Sequence, residues 1–287
     1  MTLALLLRLG RVSNLPTVCT NVLAGLVLAG ATPSAALVLA LWLAASALYV
    51  AGMVLNDVYD ADIDARERPE RPIPAGQIGR AEASRWGYGL LAIGVAIATL
   101  AGFVLASSAR PSLAATITAA LVVVYDRNHK GNPFAPAIMG LCRMGVYAIA
   151  ASFAPAGLGD AWTGGMLLAA YVLGLTYVAG FENRSTVGKA WPLATLFAPV
   201  VWTLWHAPAS LHTWTIAAAL TLWIVRAVGL ARVGRPDATR KAVVSLIAGI
   251  ALLDAAAIAG RGHTGLALVA VGGFVLTLAL QRRVAGT

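Results

Sequence analysis

The sequence predicts an all-α fold, a polytopic transmembrane helical bundle of nine or ten spans, and three observations carry that prediction. Hydrophobic residues make up 59% of the 287 and charged residues only 11%, with a mean hydropathy of +0.79, well outside the range of soluble domains. Apolar stretches recur at close to the ~20 residues that a helix needs to cross a hydrocarbon core of about 30 Å. Lysine and arginine collect in alternate connections, the asymmetry that orients a polytopic chain.

The elements follow in order. Residues 1–11 read as an interfacial lead-in rather than a cleavable signal, because Arg8 and Arg11 interrupt the apolar run Leu3 to Leu7 before any full span. The first span is 12–31. The second, 35–56, ends where the acidic run NDVYD begins, and the third, 84–107, follows a basic loop. The fourth, 111–125, is short, which a helix tolerates when it ends against a water-filled cavity instead of lipid. The fifth, 134–154, carries Arg143 about ten residues inside, where an ionised side chain is costly unless it faces a cavity or a partner. The sixth, 161–181, ends in the polar FENRS, and 190–207, 212–231, 241–259 and 264–281 complete the set.

Ten spans put both termini on one side. With the termini cytoplasmic, 17 of the 21 lysines and arginines fall in cytoplasmic segments, against Arg110 and Arg261 outside and Arg143 and Arg226 within spans. The chain is therefore expected to be a multi-pass protein of the cell inner membrane. The segments 57–83, 126–133 and 182–190 then share its cytoplasmic face. The formal charge of +9 is this positive-inside bias expressed as a whole, and no basic stripe interleaved with aromatics points to nucleic acid. Cys19 and Cys142 lie in spans without metal-ligand spacing and read as small core residues. No soluble domain or long linker is evident, so residues 1–287 read as one membrane domain.

The chemistry concentrates in residues 56–76, NDVYDADIDARERPERPIPAG. On a helix, Asn56, Asp60 and Asp64 stack one turn apart. Hard oxygen ligands in this arrangement suit Mg²⁺, which takes one or two carboxylates and fills its other positions with water and phosphate oxygens, so a bound diphosphate is implied. The plain alternative is a solvated acidic helix end. Asp60 and Asp64 are the expected ligands, with Asn56 as a neutral third ligand or an orienting group. Asp57 lies about 100° round from Asn56, and a ligand to a second ion and a partner to the first are both open for it. Arg68, Arg71 and Lys130 are candidates for diphosphate oxygens, and Arg143 is expected to face the active-site cavity.

NDxxDxxxD followed by RPIPAG resembles the first aspartate-rich motif of the UbiA superfamily, the intramembrane prenyltransferases. Asn56, Asp57, Asp60 and Asp64 match it, with Arg71, Pro72, Pro74 and Gly76 in its tail. Similarity around Arg11 and Asn14, and from Tyr125 to Ala150, extends the resemblance over about two thirds of the chain. The resemblance implies Mg²⁺-dependent transfer of an isoprenoid chain from a polyprenyl diphosphate to a small acceptor, aromatic or polyol, within the bilayer. It places Lys130 where the family has a basic residue on diphosphate, and Arg11 and Asn14 near the cavity. A snorkelling arginine beside a helix-capping asparagine explains that last pair equally well. Tyr125, Tyr147 and Tyr177 are candidates to shield an allylic cation with their ring faces.

One departure matters. The second family motif is usually another aspartate-rich helix end, and the corresponding stretch here, YVLGLTYVAGFENRSTVGK, has no aspartate. Glu182 is the expected ligand of a second Mg²⁺, with Arg184 and Lys189 as the alternative source of positive charge. The segment also resembles that of UbiA-like proteins from Ebo-type biosynthetic clusters, whose suspected acceptors are polyols. Two other readings compete: phosphoribosyl-type transfer to a lipid phosphate on the same fold, and a non-catalytic transporter or scaffold. A transporter would be expected to break its spans near the midplane, whereas here the acidic groups crowd one face.

Overall fold

A computed structural model describes residues 3–155, 157–180, 191–206 and 210–283, and among these it contains helices and no strand. The short α1 (Leu3–Leu9) turns through Arg11, which adopts a left-handed conformation (φ 43°), into a 3₁₀ turn, Val12–Asn14, and then α2 (Leu15–Leu28). Next come α3 (Ala35–Glu67), α4 (Arg80–Ala106), α5 (Arg110–Asn128), α6 (Ala135–Ala151) and α7 (Gly159–Ala179). A 3₁₀ segment, Trp191–Phe197, leads into α8 (Ala198–His206), followed by α9 (Leu211–Ala231), α10 (Pro236–Ala259) and α11 (Thr264–Gln281). Six of them, α3, α4, α7, α9, α10 and α11, are long and apolar enough to cross a membrane, and Val12–Leu28 and Ala135–Ala151 are shorter apolar segments.

Two local departures from the expected spans have clear causes. The apolar stretch 190–207 is not one α-helix, because Pro192 and Pro199 each lack the N–H that an interior turn requires. The nine-residue α8 rises only about 14 Å, too short to cross alone. By contrast α3 is one continuous helix of 33 residues, about 50 Å long, and so outruns the hydrocarbon core. Its last turns carry Asn56 to Asp64 beyond the apolar stretch on a rigid rod.

The core has two halves that share a spine. Val18, Val22 and Leu26 of α2, with Val146, Ile149 and Ala150 of α6, pack with α3, α4 and α5. The opposite faces of the same two helices, through Leu23, Ala24, Val27 and Tyr147, pack with α7, α9, α10 and α11. The spine closes tightly where a Cβ on Gly25 would meet the Ala150 Cβ at 2.8 Å, the small-residue contact by which membrane helices approach closely. Buried residues make up 83% of the apolar window of α10 but only 17% of that of α11, which sets α10 inside the bundle and α11 at its edge.

Candidate active site

The site is built on the last turns of α3. That helix stops at Arg68 (φ −145°, ψ 61°), because Pro69 disfavours the α conformation in the residue before it. The chain then folds into a compact turn. The Ala75 N–H donates to the Arg71 carbonyl at 2.9 Å and the Gln77 N–H to the Pro72 carbonyl at 2.9 Å. Gly76 sits at φ 69°, a conformation open to glycine at no steric cost. Ile78 is buried and Ile73 half-buried against Leu9, Val54 and Val58, and this apolar anchor pins the loop beneath α3. Arg71 is thereby aimed back at the helix.

The Arg71 Nη1 donates to Asp57 Oδ1 at 2.9 Å and to Asp64 Oδ2 at 3.1 Å. Arg11 Nη2 adds a second contact to Asp57 Oδ1 at 3.3 Å, so the strained turn after α1 delivers its guanidinium inward instead of to the interface. Asp60 pairs elsewhere, with His129 Nε2 at 3.2 Å and Lys130 Nζ at 3.1 Å, both from the segment after α5. Burial disfavours the charged form of His129, but its contact with Asp60 outweighs that and raises its pKa above the ordinary value. Asp57, Asp60 and Asp64 are only 6%, 5% and 4% exposed.

The expected single ladder Asn56, Asp60, Asp64 is thus divided between two directions. At 100° per residue a four-residue step drifts by about 40°, so Asn56 and Asp64 stand about 80° apart, whereas the seven-residue step from Asp57 to Asp64 closes to within about 20°. Asp57 and Asp64 form the ridge that Arg71 bridges. Asn56 and Asp60 turn toward α5, where Asn56 Nδ2 donates to Asp126 Oδ1 at 3.4 Å. Asp126 was absent from the expected site, although its position at the polar end of an apolar span, in YDRNHK, is the same signal that marked Asp57 to Asp64.

A second polar cluster lies deeper. Arg143 stacks on the Tyr49 ring at 5.2 Å and donates to Asn21 Oδ1 at 2.8 Å and Thr17 Oγ1 at 3.1 Å. Asn14 does not cap α2 with its side chain; its Nδ2 donates to the Tyr49 hydroxyl at 3.1 Å, and Gln281 Nε2 donates to its Oδ1 at 3.0 Å. Fully buried Asp254 accepts from Thr20, from Asn21 at 2.8 Å and from Tyr147 at 2.6 Å. Tyr147 is therefore tied to α10 and not brought to the carboxylates. Tyr177 packs against the α7 and α10 side of the core, and Arg68 serves as the end of α3. Glu182, Arg184 and Lys189 lie outside the described residues.

Between α2, α3, α5 and α6 is a cavity of about 70 Å³, lined by Tyr49, Met53, Tyr125, Asp126, Cys142 and Arg143 among others. A larger one, about 560 Å³ and lined by Asp160, His206 and Arg261, opens at the other ends of α2 and α10, away from the carboxylates. The donor set near α3 suits a hard cation in kind. Asp57 Oδ2 and Asp64 Oδ1 stand outside the ion pairs. Among the described residues no three acidic, cysteine or histidine side chains form a metal cage by themselves, which accords with an ion that leaves most positions to water and phosphate.

Comparison with known proteins gives a consistent result. Residues 18–159 match the UbiA prenyltransferase family. The chain is 34% identical over 134 residues to a digeranylgeranylglyceryl phosphate synthase of Methanopyrus kandleri, covering 46% of each chain. It is 39% identical over 88 residues to the protein of the same name from Ignicoccus hospitalis, 31% of this chain and 28% of that one. The matched stretch spans less than half the length of each of these relatives. Two solved structures share the fold at 19% identity. One, from a study of digeranylgeranylglyceryl phosphate synthase in membranes, has a TM-score of 0.61 and covers 90% of this chain and 98% of its own. The other, an apo UbiA homologue from Aeropyrum pernix K1, has a TM-score of 0.55 and covers 94% and 97%.

Proposed function

Because the chain is an integral membrane protein of the UbiA superfamily, whose pattern its residues 18–159 carry, we propose that it transfers an isoprenoid chain from a polyprenyl diphosphate to a lipid phosphate bearing a free hydroxyl. The supporting observation is the end of α3. Three nearly buried carboxylates, Asp57, Asp60 and Asp64, are each held by one or more of the cations Arg11, Arg71, His129 and Lys130, and of these Arg71 and Lys130 are the groups an arriving diphosphate would draw to itself.

Arg71 and Lys130 take the diphosphate, and Arg11 stays to balance Asp57. Asp60 and Asp64 would hold Mg²⁺, with Asp57 and Glu182 as the further ligands. When bound, the ion supplies charge neutralisation for the leaving diphosphate. The cavity wall that includes Tyr49, Tyr125 and Arg143 is mostly apolar, and such a wall helps protect an allylic cation from water. The allylic carbon–oxygen bond breaks with its electron pair leaving on diphosphate, the acceptor hydroxyl oxygen takes the carbon, and the hydroxyl proton passes to the departing diphosphate.

The relatives' name specifies a glyceryl phosphate carrying two geranylgeranyl groups, which favours a lipid phosphate acceptor over the aromatic or small polyol expected from sequence. It also keeps the prenyl donor, against phosphoribosyl transfer. The site faces the cytoplasm of the inner membrane on the positive-inside count. The test is purified protein in nanodiscs with geranylgeranyl diphosphate and geranylgeranylglyceryl phosphate. Mass spectrometry should find the doubly prenylated lipid with Mg²⁺ and none with chelator. Diphosphate release without any prenylated lipid would defeat the reading.

A further inference from the structure

Asp126 ends α5 with 3% exposure. Its Oδ1 accepts from Asn56, while its Oδ2 is buried and has no hydrogen-bond partner among the described residues. Buried polar atoms are rarely left unpaired, and an unpaired one calls for an explanation. The side chain lines the cavity between α3, α5 and α6, whose wall is otherwise mostly apolar around Tyr49, Tyr125 and Arg143. Asn56 holds one carboxylate oxygen and leaves the other without a donor.

Burial pushes the Asp126 carboxyl up to about 7, and in its ionised form it only accepts hydrogen bonds, so its complement there must bring a polar hydrogen. An isoprenoid tail has none, and a phosphate is repelled. The cavity, at about 70 Å³, is far below the roughly 300–1,000 Å³ of a whole-ligand pocket. It therefore admits the hydroxyl end of a head group but not a long chain. We propose that Asp126 is the specificity-determining residue for the acceptor, its free oxygen accepting the hydrogen bond of the hydroxyl that is to be prenylated. This rests on the transferase reading and assigns its acceptor end to a residue outside the α3 motif. The rival occupant is an ordered water, which would confer no preference among acceptors.

The discriminating measurement is equilibrium binding to the full chain in nanodiscs, by calorimetry. One probe is geranylgeranylglyceryl phosphate; the other is its analogue with hydrogen in place of the free hydroxyl. A lost hydrogen bond to a charged group corresponds to about a ten- to hundredfold preference of the wild type for the hydroxyl probe. Asp126→Leu should bring the two affinities to within about threefold of each other, leaving the analogue and geranylgeranyl diphosphate bound as before. Asp126→Asn, which can keep the Asn56 contact through its carbonyl oxygen, should also reduce the preference and serves if the leucine variant does not fold. Equal affinities in the wild type, or an undiminished preference in Asp126→Asn, would overturn the assignment. Binding needs no turnover, so absent prenyl transfer would remove the transferase reading while this ratio could still be read.

Discussion

Replacing Arg71 by alanine should move two constants in opposite directions. Its Nη1 lies 2.9 Å from Asp57 and 3.1 Å from Asp64, so on the proposed reading it pairs with a carboxylate that Mg²⁺ would need and is itself needed by diphosphate. Asp57 retains Arg11 at 3.3 Å, whereas Asp64 loses its only ion pair among the described residues. A charge-assisted hydrogen bond is worth about 1.5–3 kcal/mol net, and about 1.4 kcal/mol is tenfold in an equilibrium constant. The Mg²⁺ concentration for half-maximal activity should therefore fall about tenfold, since Asp64 no longer has to release a guanidinium. The KM for the prenyl diphosphate should rise about ten- to hundredfold, since one of its cations is gone. Arg71→Lys should fall between, because a single ammonium lacks the planar fork. Diphosphate release is measured against Mg²⁺ at saturating donor, then against donor at saturating Mg²⁺. An unchanged Mg²⁺ response, or both constants moving the same way, would refute the idea that Arg71 holds the metal site closed.

Four other outcomes follow from the site, the charge asymmetry and the buried cluster. Asp60→Asn removes the partner of both His129 and Lys130 and a proposed metal ligand, and should lower turnover by about a thousandfold, or several kcal/mol in the barrier; normal turnover would remove Asp60 from the site. In a Cys19→Ala, Cys142→Ala background, single cysteines at positions 65, 131 and 186 should react with impermeant thiol reagents only from the cytoplasmic side, and labelling from outside intact cells would break the single-face site. Tyr147→Phe should cost about 1 kcal/mol of stability, the scale of one interhelical hydrogen bond in a membrane protein. Asp254→Leu should cost about 3–5 kcal/mol, because it leaves the Asn21 amide and the Tyr147 hydroxyl without their acceptor beside Arg143. Thermal unfolding in detergent reads both, and equal losses would mean that Asp254 does not organise the cluster.

What could be read from sequence and what could not divide along one physical line. Helices were legible because hydrophobicity is a property of the chain, and NDVYDADID was legible because a helical ridge is set by spacing alone. The assignment of those carboxylates to partners was not, since a drift of about 40° per four-residue step sends Asp60 to the segment after α5 and Asp64 to the loop after α3. That loop was half legible: RPIPAG announced a turn, but the aim of Arg71 depends on Ile73 and Ile78 packing under α3. Asp126 carried the signal of a polar span end, but its role, like that of Asp254, was not legible. Their partners Asn56 and Asn21 are 70 and 233 residues away, and an aspartate has the same local appearance in sequence whether it is satisfied or not. The structure separates the two: Asp254 accepts three donors and is closed to any ligand, while Asp126 keeps one oxygen unpaired at a cavity wall. Two buried aspartates thus take different roles, one holding helices together and the other, on the proposal above, poised for a substrate, and the partners supplied by distant helices tell them apart.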